Sequence, residues 1–386
     1  MTAYISLPRF ARIGAGAIDE IGSVVDQLHL QRPLVVTDSY LTKTGAADRV
    51  ISLLRTAGKE PELFSDTVPD PTTMSLEAGL QAIVDHRADS VIGFGGGSPM
   101  DTAKALAVLS VNGGTMRSYK APSAYTGAAL PIIAIPTTSG SGSEATQFTV
   151  ISDSATDEKM LCPGLSFLPI ATVVDFELTM SMPPRLTADT GIDALTHAIE
   201  AYVSRKANPF SDGLALSAIR LIGQNISTAY KDGQNVSARE AMMIASMQAG
   251  MAFSNASVAL VHGMSRPIGA HFHVAHGLSN AMLLPAITAF SVTGAEARYA
   301  ECARQFGAAT QSATDSFAAQ SLIESITSLC TELAVPTPKS YGIDRGAWDQ
   351  LIPLMARQAL ESGSPANNPI IPDVDAIESL YDQVFA

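Results

Sequence analysis

Four of the chain's seven histidines fall in one stretch, VHGMSRPIGAHFHVAHG, at residues 261–277. Imidazoles that crowd a sequence in this way bind a metal or move protons. A further pair, Asp193 and His197, lies upstream in GIDALTHAIEAYVS. Four residues apart on a helix, they leave one face about one turn apart, which makes a half-site for a divalent ion, or else an ordinary helix hydrogen bond. The other half is either His262 with His276, each followed by a glycine that leaves room for close packing around a ligand, or the HxH pair His271 and His273. Spacing alone does not choose. One carboxylate and three imidazoles form a harder set than cysteine-rich structural sites, and suit Fe2+, Zn2+ or Mn2+ with an open coordination position.

A second chemistry belongs to the first half of the chain. VIGFGGGSPMDTAK, residues 91–104, runs from a strand-like segment into Gly95, Gly96 and Gly97 and then a helix. Ser98 is placed to cap that helix, Pro99 suits its first position, and Asp101 lies three residues past the cap. Bare backbone N–H groups at such a terminus stabilise a pyrophosphate. The spacing is neither GxGxxG nor that of a Walker A loop, and a ligand-free turn has the same composition. A second loop, IPTTSGSGSE at residues 135–144, also follows a strand. Two such loops suit a dinucleotide across the carboxyl edge of a sheet. Asp38 ends an earlier strand, where its carboxylate either accepts from a ribose hydroxyl, favouring NAD over NADP, or caps the next helix.

These residues need a frame. Apolar runs at residues 33–37, 90–94 and 130–135 alternate with helical patterns, which points to βαβ units and a parallel sheet. Past about Thr179 strand signals nearly vanish, Pro183-Pro184 interrupts the chain, and helical periodicity takes over from Ala188. The expected architecture is an α/β dinucleotide-binding domain over residues 1–180 and an all-helical, metal- and substrate-binding domain over residues 181–386. With 46% apolar and 16% charged residues the composition is that of a well-buried globular protein. A net charge of −13 argues against a nucleic-acid partner. No apolar run reads as a signal peptide or membrane span, and Cys162, Cys302 and Cys330 lack CxxC spacing. Reduced thiols, no membrane partner and a cytoplasmic location are expected.

GGGSPMDTAK, PTTSGSGSE, GIDALTHAIEAYVS and VHGM…HGLSNAMLLP together resemble the iron-containing (group III) alcohol dehydrogenases, in order over nearly the whole chain. The resemblance implies the dehydroquinate synthase-like architecture, Fe2+ or another divalent metal, NAD, a small alcohol or aldehyde substrate, and a homodimer or larger homo-oligomer. It assigns the metal to Asp193, His197, His262 and His276. It assigns the cofactor to Asp38, Gly95, Gly96, Gly97, Ser98, Asp101, Thr137, Thr138 and Ser141, followed by Val150, Lys159 and Leu178. Three departures stand out: Arg266 where many members carry a histidine, Pro69-Asp70-Pro71-Thr72 for PNPT, and DFEL at residues 175–178 for DPEL.

The implied chemistry is reversible hydride transfer, with His273 a candidate for proton relay and Phe148 and Phe253 for the walls of the substrate pocket. Arg266 either holds an anionic group on the substrate or pairs with a structural carboxylate such as Glu200 or Asp189. Rival readings are a non-redox lyase of the dehydroquinate synthase superfold, a reductase of neutral short-chain aldehydes or of maleylacetate, and a catalytically silent NAD-binding protein.

Overall fold

Leu34, Val35 and Val36 are consecutive and fully buried. Adjacent residues of a strand face opposite sides, so both faces of this strand are covered, as in a parallel sheet wrapped by helices. Leu34 and Val36 join Val91, Leu106 and Phe167 in one apolar cluster; Val35 joins Ile92, Phe94, Ile133 and Val173 in another. The two cores sandwich the sheet. The structure, a computed structural model, describes residues 2–156 and 158–386.

The sheet comprises β1 (Phe10–Ile13), β2 (Pro33–Asp38), β3 (Glu62–Thr67), β4 (Ser90–Gly95), β5 (Ile132–Pro136) and β8 (Ala171–Val174). Its order is β1-β8-β5-β4-β2-β3, and every neighbouring pair is parallel. The helices of this part are α1 (Ile21–Gln27), α2 (Ser39–Lys43), α3 (Ala46–Thr56), α4 (Glu77–His86) and α5 (Gly97–Asn112). A separate antiparallel hairpin pairs β6 (Phe148–Asp153) with β7 (Glu158–Pro163).

From Pro184 the described chain is helical: α6 (Pro184–Val203), α7 (Pro209–Lys231), α8 (Val236–Ala256), α9 (Leu260–Phe272), α10 (His276–Ser291), α11 (Glu296–Phe306), α12 (Asp315–Glu332), α13 (Pro338–Tyr341), α14 (Arg345–Glu361) and α15 (Val374–Val384). Residues 191–203 of α6 are buried on every side, without the polar stripe of a surface helix. The chain forms two compact units, Ser6–Thr138 with Gly142–Met180, and Ser181–Ala386 with Ser139–Ser141 and residues 2–5. Among the described residues no single helix is long and apolar enough to cross a membrane.

Two local expectations need correction. Ser98 does not cap α5: the helix starts at Gly97, its N-cap is Gly96, and no side chain caps it. The glycines continue into the first turn, and Ser98 Oγ instead accepts the Asp70 N–H at 3.3 Å. Pro183-Pro184 is a helix start rather than an interruption, because Pro184 occupies the first position of α6, where its missing N–H costs nothing.

The turn from β4 into α5 requires glycine. Gly95 has φ +149°, and a Cβ there would lie 2.6 Å from Pro99 Cγ. Gly95→Ala is expected to cost about 2 kcal/mol or more and to lower the melting temperature by several degrees. An unchanged thermal denaturation curve would show that this turn yields freely.

Candidate active site

The adjacency of β2, β4 and β5 brings three sequence-assigned loops to one sheet edge, since parallel neighbours end on the same side. Asp38 closes β2, Gly95 closes β4, and Thr137 and Thr138 follow β5. Thr137 N donates to the Gly95 carbonyl at 2.9 Å. Gly96 lies so near the Thr138 side chain that a Cβ would stand 3.4 Å from it. Asp38 Oδ1 accepts from Tyr40 N and Leu41 N at 2.9 and 3.0 Å, so it caps α2, one of its two anticipated roles.

Asp101 turns inward. Its carboxylate accepts from Ser143 Oγ at 2.9 Å and from Val150 N at 3.0 Å, tying α5 to the second loop and to β6. Burial raises its pKa, with Lys104 pulling the other way. Lys104, which the sequence reading passed over, is fully buried. Its Nζ donates to Ser143 Oγ, to the carbonyl and hydroxyl of Thr146, and to the Phe148 carbonyl, at 2.8 to 3.0 Å. Burial pulls its pKa down to about 8 against the attraction of Asp101 and Glu144. Lys159 is paired with Asp70 at 2.9 Å. Leu178 packs against the sheet core, Phe148 opens β6, and Ser141 groups with the helical unit.

In that helical unit Asp193, His197, His262 and His276 converge. Each offers one ligand atom, and the four atoms lie within 4.8 Å of one another. Asp193 Oδ1 is 3.9, 3.7 and 3.9 Å from the Nε2 atoms of His197, His262 and His276. An ion with bonds of about 2.1 Å holds tetrahedral ligands about 3.4 Å apart, so small side-chain rotations close the set around one cation. Asp193 and His197 leave one face of α6, His262 comes from the first turn of α9, and His276 begins α10. His271 and His273 stand outside the group: His271 Nε2 meets Gln358 Oε1 at 2.8 Å, and His273 is exposed, in the left-handed region at φ 54°.

The electrostatics suit a cation. Burial holds His197 and His262 well below their ordinary pKa, and their mutual proximity lowers His197 further, which favours the neutral imidazoles that ligate a cation. Burial also pushes Asp193 up to about 8, as for a carboxylate lacking a counter-charge. The rings of Phe253, His197 and His262 stack at 4.2 and 4.5 Å between centroids, so Phe253 walls the histidines.

The glycines after His262 and His276 do give close packing, but against protein. A Cβ on Gly263 would meet Pro365 at 2.7 Å, and one on Gly277 would meet the Asp189 carbonyl at 2.6 Å. Gly277 thereby lets the start of α10 rest on α6, beside Asp193. Asp189 itself pairs with Arg185.

Two roles around the group were missed in the sequence. Glu200, one further turn along α6, accepts from Ala259 N at 2.9 Å, Val261 N at 2.6 Å and His262 Nδ1 at 2.6 Å. It caps α9 and fixes the His262 tautomer, leaving Nε2 to face the other ligand atoms. Asn280 Nδ2 donates to Asp193 Oδ1 at 2.6 Å and lies 3.1 and 3.3 Å from the Nε2 atoms of His262 and His276. Its i,i+4 spacing from His276 on α10 was the available signal. The amide nitrogen marks the point where three acceptors converge.

Arg266 makes no ion pair among the described residues; its Nη1 donates to Ser364 Oγ at 2.9 Å. Neither Glu200 nor Asp189 comes within salt-bridge distance of it: Glu200 spends its oxygens on α9, and Asp189 has Arg185. Burial draws Arg266 down to about 10, with Glu200 pulling it up.

Glu200→Gln replaces the acceptor for His262 Nδ1–H by an amide of equal size. Metal affinity in a chelator-competition titration is expected to fall about 10- to 100-fold with the circular dichroism spectrum unchanged. Retention of the original affinity would remove Glu200 from any role in orienting His262.

Both halves of the chain match models of one family. Residues 8–176 match the iron-containing alcohol dehydrogenase model, and residues 187–385 match that of the Fe-containing alcohol dehydrogenase family, C-terminal. The chain is 39% identical to long-chain-alcohol dehydrogenase 1 of Geobacillus thermodenitrificans, over 100% of this chain and 97% of that one. It superposes on a 1,3-propanediol oxidoreductase with TM-score 0.95 at 33% identity, covering 100% of both chains. The TM-score is 0.89 at 27% identity against sulfoacetaldehyde reductase from Bifidobacterium kashiwanohense in complex with NAD+, over 100% of this chain and 99% of that one. A helical half carrying the Asp/His₃ group and a glycine-looped parallel sheet thus come from one lineage, and the chain belongs to the iron-containing alcohol dehydrogenase family of oxidoreductases.

Proposed function

We propose that this enzyme transfers hydride reversibly between NAD and a small alcohol or aldehyde, with a divalent metal at Asp193, His197, His262 and His276. The observation that carries the reading is the convergence of those four ligand atoms within 4.8 Å, three of the four residues being buried. A divalent ion, Fe2+ by family, supplies Lewis-acid polarisation of the substrate oxygen when bound. NAD supplies or accepts the hydride.

The chain's own residues have separable tasks in this reading. The amides of Gly97 and Ser98 at the uncapped start of α5 bind phosphate. Asp38 faces the ribose from the end of β2, and Thr137 and Thr138 line the neighbouring strand end. Asp101 and Val150 act through each other, holding the second loop in register. Glu200 and Asn280 orient two of the metal ligands. His273 makes no hydrogen bond with the described residues, and it passes the alcohol's proton to solvent, a task outside the titration range of Arg266.

Arg266 bears on the substrate. A half-buried guanidinium whose partner is one hydroxyl has attraction to spare for an anion. Counting a divalent ion at +2, Arg266 at +1, and Asp193 and Glu200 at −1 each, the centre carries +1. That charge favours an aldehyde or alcohol bearing a carboxylate, sulfonate or phosphonate, and the similar sulfoacetaldehyde reductase acts by name on such a molecule. The second reading is a neutral alcohol, favoured by the Arg266–Ser364 bond and by the long-chain-alcohol relative.

Metal-reconstituted enzyme with NADH should be assayed on paired aldehydes, sulfoacetaldehyde or succinic semialdehyde against butyraldehyde. For Arg266→His, kcat/KM on the anionic member should fall about 10- to 100-fold relative to the neutral one. An unchanged ratio would assign the enzyme to neutral substrates. Absence of NADH turnover on every aldehyde, with metal bound, would overturn the dehydrogenase reading itself.

A further inference from the structure

At the start of α5, where the proposed function seats the dinucleotide's phosphates, the chain places an anion. Asp70 projects from the PDPT loop, its N–H bonded to Ser98 Oγ at 3.3 Å and its Oδ1 2.9 Å from Lys159 Nζ. Lys159 comes from β7, and its side chain is only 9% exposed against 51% for Asp70. The loop is fastened to the hairpin on its other side: Ser152 N donates to the Pro71 carbonyl at 2.8 Å, and Thr73 N to the Ser152 carbonyl at 2.9 Å. Asp70 is thus held in place and does not swing freely in solvent. Its backbone lies in the left-handed region, φ 50°, which Asn and Asp tolerate better than other side chains.

We infer that Asp70 weakens the enzyme's hold on its dinucleotide by neutralising Lys159. This rests on the reading that Gly97 and Ser98 bind the cofactor's phosphates. An ammonium beside a helix N-terminus attracts a pyrophosphate; the same ammonium paired to a carboxylate presents no net charge, and the carboxylate repels the ligand. The pair competes with the cofactor for Lys159 and so hastens release of the spent nucleotide, a step that limits turnover in many enzymes.

Asp70→Asn is a conservative test, because asparagine keeps both the left-handed backbone and the N–H to Ser98. Titration of metal-loaded enzyme with NADH, followed by nucleotide fluorescence, is expected to give a Kd about three- to tenfold lower than wild type. The gain should shrink as salt is raised. Asp70→Asn combined with Lys159→Gln should abolish it, and melting temperatures of all variants report that the fold is kept. Wild-type binding with Asp70→Asn equal or weaker overturns the inference alone, and weaker binding would make Asp70 a support for Lys159. If wild type binds no NADH, the cofactor reading and this inference fall together.

Discussion

Burying polar groups on all sides of α6 is the constraint that the helical unit answers. Asp193, His197 and Glu200 lie within two turns of a helix segment that solvent does not reach. A carboxylate in such a place is costly unless its oxygens are met by donors or cations. Glu200 is met by two backbone amides and an imidazole, which also gives α9 the cap that its sequence lacks. Asp193 receives the Asn280 amide and faces three imidazoles. Because the same burial keeps His197 and His262 neutral, positive charge is scarce around it, and a divalent ion is the natural complement.

The α/β unit solves the opposite problem. Lys104 is a buried cation ringed by hydroxyl and carbonyl oxygens from the second loop and β6, with Asp101 one hydroxyl away. These bonds lash α5, the loop after β5 and the hairpin into one body. The flexible-looking run PTTSGSGSE is therefore held by its neighbours, and Gly140 rests so closely on Thr190 of α6 that a Cβ would overlap it at 2.4 Å.

Much of this was legible from residue order. β2, β4 and β5 announce themselves because burial on both faces leaves continuous apolar runs, and α6 does so through its helix formers and the Asp193/His197 spacing. The short strands β1 and β8, and β3 with its mixed exposure, carry weaker signals. The histidines could not be sorted by spacing, since His271 and His262 differ only in which neighbours the fold brings to them. The roles of Glu200 and Asn280 were hidden for a related reason: they exist only where α6, α9 and α10 meet. Ser98 misled because a capping residue type sits two residues past the N-cap, inside the helix, with Asp70 as its actual partner.

The four residues of the Asp/His₃ group are not equally enclosed. The side chains of Asp193, His197 and His262 are sealed, whereas that of His276 is 40% exposed. His276 also opens its helix. An ion held by this set would exchange by the swing of one imidazole, leaving the other three ligands in place. Occupancy would then equilibrate with the supply of divalent ions in the surroundings.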